Sequence, residues 1–179
     1  MSFKGAVSVK AFKKEEWVLM KNIIAVDPEK CVGCGNCVMV CSLVHEGAFS
    51  PAKSRINVVE LRRQRLNVPA LCVQCSDPPC VDVCPAGALA RDDTTGVIVL
   101  SPDLCIGCRM CTVACPLGGI TINYETGKSI KCDLCGGDPY CVKVCGYGAL
   151  SYLPLEQDGM NKRRKAVQKI SMALEKMVV

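Results

Sequence analysis

The chain has 179 residues, of which 50% count as hydrophobic, but that half includes sixteen cysteines and only three Phe, four Tyr and one Trp. So little large apolar bulk makes a thin core, and small cysteine-dense chains make up the deficit with metals or disulfides. The formal charge of +5 is modest and its basic residues are not interleaved with aromatics, which argues against a nucleic-acid groove, and no apolar run approaches the length of a membrane span.

In chain order, residues 1–22 read as an N-terminal arm in which Lys or Glu breaks every apolar run. No secretory leader is expected there, and a chain kept in the reducing cytoplasm favours metal over disulfides. Trp17, Val18, Leu19 and Met20 are the arm's candidates for contact with a partner. A short strand is predicted at Ile23–Val26, ended by the turn signal Asp27-Pro28. The first cysteine run follows: Cys31-x2-Cys34-x2-Cys37-x3-Cys41, with Ser42 next. His45 is the only histidine and lies in His45-Glu46-Gly47; no cysteine run lacks a ligand, so it reads as a polar residue of a turn. A second strand is predicted at Ile56–Leu61. Arg62, Arg63 and Arg65, with Lys53 and Arg55 nearby, form either a docking face that steers an acidic partner or a solvated surface.

The second run is Cys72-x2-Cys75-x4-Cys80-x3-Cys84 followed by Pro85, and a strand is predicted at Val97–Leu100 between Thr95-Gly96 and Ser101-Pro102. The third is Cys105-x2-Cys108-x2-Cys111-x3-Cys115 followed by Pro116, then a strand at Ile120–Tyr124 before Thr126-Gly127. The fourth is Cys132-x2-Cys135-x5-Cys141-x3-Cys145, with Gly146 where the second and third runs have proline, then a strand at Ala149–Leu153. Residues 160–179 read as an amphipathic helix, with Val167, Ile170, Leu174 and Met177 opposite Lys162, Arg163, Lys165 and Lys169. It packs on its own domain or clamps onto a larger subunit.

These runs suit the 4Fe–4S cubane, whose four irons each take one thiolate. Three cysteines two residues apart wrap a loop around one cluster, and Gly33, Gly35 and Gly107 let backbone amides approach it. The fourth cysteine comes one helical turn later and points to another cluster, so the runs work in pairs. Runs two and three are close in sequence and form one pair, which leaves one and four as an outer pair. The predicted ligand sets are Cys31, Cys34, Cys37 with Cys145; Cys72, Cys75, Cys80 with Cys115; Cys105, Cys108, Cys111 with Cys84; and Cys132, Cys135, Cys141 with Cys41. Four clusters at about −2 each would turn the net charge to about −3, so the basic residues read as counter-charge. A zinc ribbon would separate its two C-x2-C pairs by a dozen or more residues, and a secreted disulfide framework does not call for C-x2-C-x2-C spacing.

The runs, together with His45-Glu46-Gly47, Ser54-Arg55-Ile56 and the segment from Lys131 to Pro139, resemble the four-cluster ferredoxin-like subunits of molybdenum and tungsten bis-pterin oxidoreductases. The likeness is greatest to the small electron-transfer subunit of aldehyde:ferredoxin oxidoreductase-type tungsten enzymes, a group that includes class II benzoyl-CoA reductase. It implies a larger tungsten- or molybdenum-pterin catalytic subunit, wired by this chain to a ferredoxin or other external carrier. Gly146 and Ser42 depart from the family pattern, so the expectation is four clusters, or three if one outer run is altered. The fold expected is α+β, a tandem of two interlocked ferredoxin-like units with a C-terminal amphipathic helix. Its division is 1–22 arm, 23–71 with 120–153 outer unit, 72–119 inner unit and 154–179 extension. No catalytic residue is expected. The alternatives are a free polyferredoxin and, from another class, a zinc-stapled interaction module.

Overall fold

The computed structural model describes residues 22–155 together with Lys165, Val167, Gln168 and Met172, all four of them exposed. The N-terminal arm up to residue 21 and the rest of the expected C-terminal helix lie outside the described residues. Short elements alternate along the chain: β1 (Asn22–Val26), α1 (Asn36–Glu46), β2 (Ile56–Leu61), β3 (Leu66–Leu71), α2 (Pro79–Asp82), β4 (Leu89–Arg91), β5 (Ile98–Leu100), α3 (Met110–Ala114), β6 (Ile120–Ile122), β7 (Ser129–Lys131), α4 (Tyr140–Lys143) and β8 (Leu150–Pro154).

The strands form separate antiparallel ribbons, β1 with β8, β2 with β3, β4 with β5 and β6 with β7. In the first, Asn22 lies opposite Pro154 and Val26 opposite Leu150, so the two ends of the described chain close on each other with everything else between them. Three strands escape sequence reading. β3 contains Pro69, opposite Val58, and proline is tolerated because a two-stranded ribbon is all edge. The strands β4 and β7 are three residues long, too short to show a period. The strand expected at Ile120–Tyr124 stops at Ile122, because the Asn123 side chain accepts hydrogen bonds from the amides of Glu125 (3.0 Å) and Thr126 (3.4 Å) and starts the turn.

Each helix carries the third cysteine of a run, and the fourth lies about a turn further on. In runs two and three the following proline cannot continue a helix, and α2 and α3 stop at Asp82 and Ala114. Run one has Ser42 there, and α1 continues to Glu46, capped by Gly47 at φ 68°. Ser42 is fully buried; its hydroxyl donates to the Met39 carbonyl (3.0 Å) and accepts from the Ser50 amide (3.0 Å). The substitution thus lengthens the helix and ties the loop that follows it. His45 is consequently a residue of the last turn of α1, not of a free turn.

Packing joins α1 to α4 and α2 to α3. Two buried clusters result. One gathers Ile24, Val38, Ile56, Leu71, Leu134 and Leu150 with Cys37, Cys41, Cys132 and Cys141. The other gathers Leu89, Ile98 and Ile120 with Cys80 and Cys111. Cysteines form a large share of both, so the interior is arranged around sulfur.

Candidate metal centres

The first C-x2-C loop of every run turns through a left-handed residue just before its second cysteine: Gly33 (φ 74°), Gln74 (φ 51°), Gly107 (φ 69°) and Leu134 (φ 60°). Left-handed backbone costs a side-chain-bearing residue roughly 1–2 kcal/mol, so Gln74 and Leu134 need compensation. Leu134 is 2% exposed in the larger core, and burying a leucine is worth about 1.5–3 kcal/mol. Gln74 is 1% exposed and spends both ends of its amide, as described below. A second repeated turn follows three of the fourth cysteines at Gly87, Gly118 and Gly148, with φ of 60°, 61° and 64°. In two of these it aims a backbone amide back at the sulfur, Ala88 N to Cys84 Sγ and Gly119 N to Cys115 Sγ, both 3.3 Å. In run one the amide of Arg55 does the same for Cys41 at 3.4 Å.

All sixteen cysteines are free thiols, and they line four cavities. Cys31, Cys34, Cys37 and Cys145 line one of about 340 Å³. Cys41, Cys132, Cys135 and Cys141 line one of about 330 Å³. Cys72, Cys75, Cys80 and Cys115 line one of about 370 Å³, and Cys84, Cys105, Cys108 and Cys111 one of about 310 Å³. Each cavity thus takes three thiols from one run and the last from another. Four thiols drawn from two runs give one thiolate for each iron of a cubane. Such a donor set fits a 4Fe–4S cluster.

The cavities have an order. Cys37 of the first quartet opposes ionisation of Cys141 of the second, across the α1–α4 contact. Leu71 lines both the second cavity and that of Cys72, and the α2–α3 contact joins the latter to the cavity of Cys84. Of the sixteen thiols only Cys34 and Cys108 belong to exposed residues, and they sit at opposite ends of this row.

Electrostatics favour metal here. Burial pushes the thiols of Cys37 and Cys80 up to about 11 and that of Cys132 up to about 12, and neighbouring thiols push the same way. Burial likewise raises Cys141, Cys31 and Cys135. At Cys105 burial also works against ionisation, but hydrogen bonds from the backbone of Ser129 and Gly107 and the charge of Lys128 outweigh it, and its value is lowered. Quartets of thiolates in such surroundings repel one another unless cations stand between them.

Sequence reading missed two roles. His45 lines the second cavity, with Nε2 3.5 Å from Cys135 Sγ and 3.6 Å from Asp133 Oδ1. Burial first, then Arg55, lower its value against the opposing pull of Asp133 and Glu46. Arg55 pairs with Asp133 at 2.8 Å and Lys53 with Glu125 at 2.7 Å, so neither joins a common basic face; Arg62, Arg63 and Arg65 remain at the tip of the β2–β3 ribbon. The other missed pair is Lys131 and Gln74, buried polar residues at the boundary of the two cores. Aligning the four C-x2-C loops against one another would have flagged Gln74, which stands where two of them have glycine.

Known proteins place the chain. The 4Fe-4S dicluster domain family matches residues 64–155 and a 4Fe-4S binding domain matches residues 23–49. The chain belongs to the 4Fe-4S dicluster ferredoxin family. It is an iron–sulfur electron-transfer protein of the kind found as oxidoreductase subunits. It is 47% identical over 130 residues to the polyferredoxin-like subunit of an aliphatic sulfonate oxidoreductase of Pyrococcus furiosus, covering 71% of this chain and 75% of that one. It is 46% identical over 132 residues to the beta subunit of the NADH-dependent phenylglyoxylate dehydrogenase of Aromatoleum evansii; this match takes 73% of the chain but spans only 30% of the length of that subunit. Among solved structures, the BamBC active-site complex of benzoyl coenzyme A reductase superposes with a TM-score of 0.47 at 26% identity, covering 88% of this chain and 89% of that one. No helix among the described residues is long and apolar enough to cross a membrane.

Proposed function

We propose that the chain holds four 4Fe–4S clusters and relays electrons between a tungsten- or molybdenum-pterin catalytic subunit and an external redox carrier such as a ferredoxin, in the cytoplasm. The observation that carries this reading is the gathering of sixteen thiols into four cavities, each drawing on two runs. The ligand sets follow as Cys31, Cys34, Cys37, Cys145; Cys41, Cys132, Cys135, Cys141; Cys72, Cys75, Cys80, Cys115; and Cys84, Cys105, Cys108, Cys111. When bound, such a cluster accepts and returns one electron at a potential set by the protein around it. The thiols supply the ligands, and the amides of Ala88, Gly119, Arg55 and Leu134 donate to the sulfurs of Cys84, Cys115, Cys41 and Cys132 at 3.3–3.4 Å. Such bonds favour the more negative state. The exposed residues Cys34 and Cys108 mark the two ends at which partners approach.

The same reading divides the chain into an outer unit, 23–71 with 120–153, and an inner unit, 72–119, with flanking extensions at 1–22 and 154–179. The β1–β8 ribbon supports it, though Ile120 packs with Leu89 and Ile98 in the cluster of the inner unit. The catalytic partner is argued from the resemblance at the cysteine runs and from relatives that are themselves oxidoreductase subunits.

Serine substitution tests the ligand sets. Cys115→Ser and Cys72→Ser should alter one and the same EPR signal, Cys84→Ser and Cys105→Ser another, with about sixteen irons and sixteen sulfides per unaltered chain. If Cys115→Ser and Cys105→Ser altered the same signal, each run would be closing its own cluster and the assignment would fall. Native mass measurement of anaerobically purified protein should find the chain with a larger pterin-bearing subunit.

A further inference from the structure

We infer that Lys131 is a buried fixed cation that raises the reduction potentials of the two centres meeting at the boundary of the units, those of Cys72, Cys75, Cys80, Cys115 and of Cys41, Cys132, Cys135, Cys141. This rests on the cluster reading above. Lys131 closes β7 and is 3% exposed. Its ammonium donates to the carbonyl of Cys132 at 2.9 Å and to the carbonyl of Ile98. The salt bridges of the described residues do not include it. A buried ammonium facing only neutral carbonyls is costly unless negative charge lies close by. The two carbonyls belong to residues that line the two cavities, Ile98 that of Cys72 and Cys132 that of Cys41, so the negative charge at hand is that of the sulfur sites themselves.

The same two residues are gripped a second time. Gln74 Nε2 donates to the Cys132 carbonyl at 2.9 Å, and its Oε1 accepts from the Ile98 amide at 2.9 Å. Ile98 belongs to the inner core and Cys132 to the outer one. Gln74 holds this position with a φ of 51°, a strained arrangement of the sort that persists where surroundings over-determine it and that marks functional positions. Together they fix a positive charge at the seam through which the two units communicate. Adding an electron to either flanking centre adds negative charge, which a cation in low dielectric stabilises. The middle two centres of the row are therefore easier to reduce than they would be without it, and the end centres near Cys34 and Cys108 are not affected.

EPR-monitored potentiometric titration of the anaerobic protein, with iron and sulfide counted on each sample, tests this. Signals of the two middle centres are identified by their alteration in Cys80→Ser and Cys132→Ser. In Lys131→Met these two midpoint potentials should fall while the other two stay, and Lys131→Arg should keep both at the wild-type value. Gln74→Glu sets a carboxylate against the groups that hold the ammonium, and should lower the same two potentials with Lys131 in place. A fully loaded Lys131→Met or Gln74→Glu protein with unmoved potentials overturns the inference, as does an equal shift of all four centres. Wild-type protein free of iron and sulfide would instead overturn the cluster reading itself.

Discussion

Adjacent glycines in this chain serve different ends, and Gly118 and Gly119 show it. Gly118 has φ 61° with nothing within 4 Å of the place a Cβ would take. Its need is conformational, and Gly118→Ala should cost only the left-handed penalty of about 1–2 kcal/mol. At Gly119 a Cβ would lie 2.7 Å from Cys72 Cα and 2.9 Å from its nitrogen. Those are backbone atoms next to a proposed ligand and have no rotamer by which to retreat. Gly119→Ala should therefore cost more, on the order of the 1–3 kcal/mol of overpacking or above, and should move the loop carrying Cys72. Denaturant unfolding of the iron-loaded variants, with EPR on each, measures the difference; equal losses and unchanged spectra would show that the close approach is not needed.

At the scale of elements, the residue after the fourth cysteine separates α1 from α2 and α3, while α4 is short even with Gly146 in that place. Pro85 and Pro116 end α2 and α3 almost at once, whereas Ser42 lets α1 continue to Glu46 and so brings His45 to within 3.5 Å of Cys135 Sγ. Ser42→Pro would impose the common pattern on run one. It removes the Ser42 amide from an established helix and loses the hydroxyl that anchors Ser50, at a cost of about 3 kcal/mol or more. The expected outcome is a loss of stability on that scale together with a changed EPR signal at the centre that includes Cys135, with the centres of the inner unit unaltered. A variant with normal stability and an unchanged spectrum would mean that the long form of α1 has no bearing on the site.

For the molecule as a whole, the large apolar side chains are few and the two cores are completed by cysteines. Removing the metal leaves buried thiols around four cavities, with little apolar contact to close them. Binding energy for metal is then largely folding energy. Anaerobic removal of iron by a chelator should abolish most far-UV circular dichroism, and reconstitution with iron and sulfide should restore it; a metal-free protein with an unchanged spectrum and cooperative unfolding would refute the dependence. The proposed outer unit should suffer first, because its halves are far apart in sequence and meet through the β1–β8 ribbon, where Asn22 lies opposite Pro154. Closing so long a loop carries an entropic cost that contacts within the inner unit avoid.

Sequence alone determined whatever depends on short separations: the four cysteine runs, the left-handed glycines within them, the helical turn before the fourth thiol, and the strand at Ile56–Leu61. Spacing of two or three residues is a local instruction, and the chain obeys it wherever it folds. Only the tertiary structure decided that Arg55 reaches Asp133 across 78 residues and Lys53 reaches Glu125 across 72, which leaves Arg62, Arg63 and Arg65 at the ribbon tip without them. It also decided that Lys131 and Gln74 both meet the backbone of Ile98 and Cys132. A buried lysine leaves no periodic trace in a sequence, because its partners are carbonyls, which every residue carries, and folding alone selects which of them it meets.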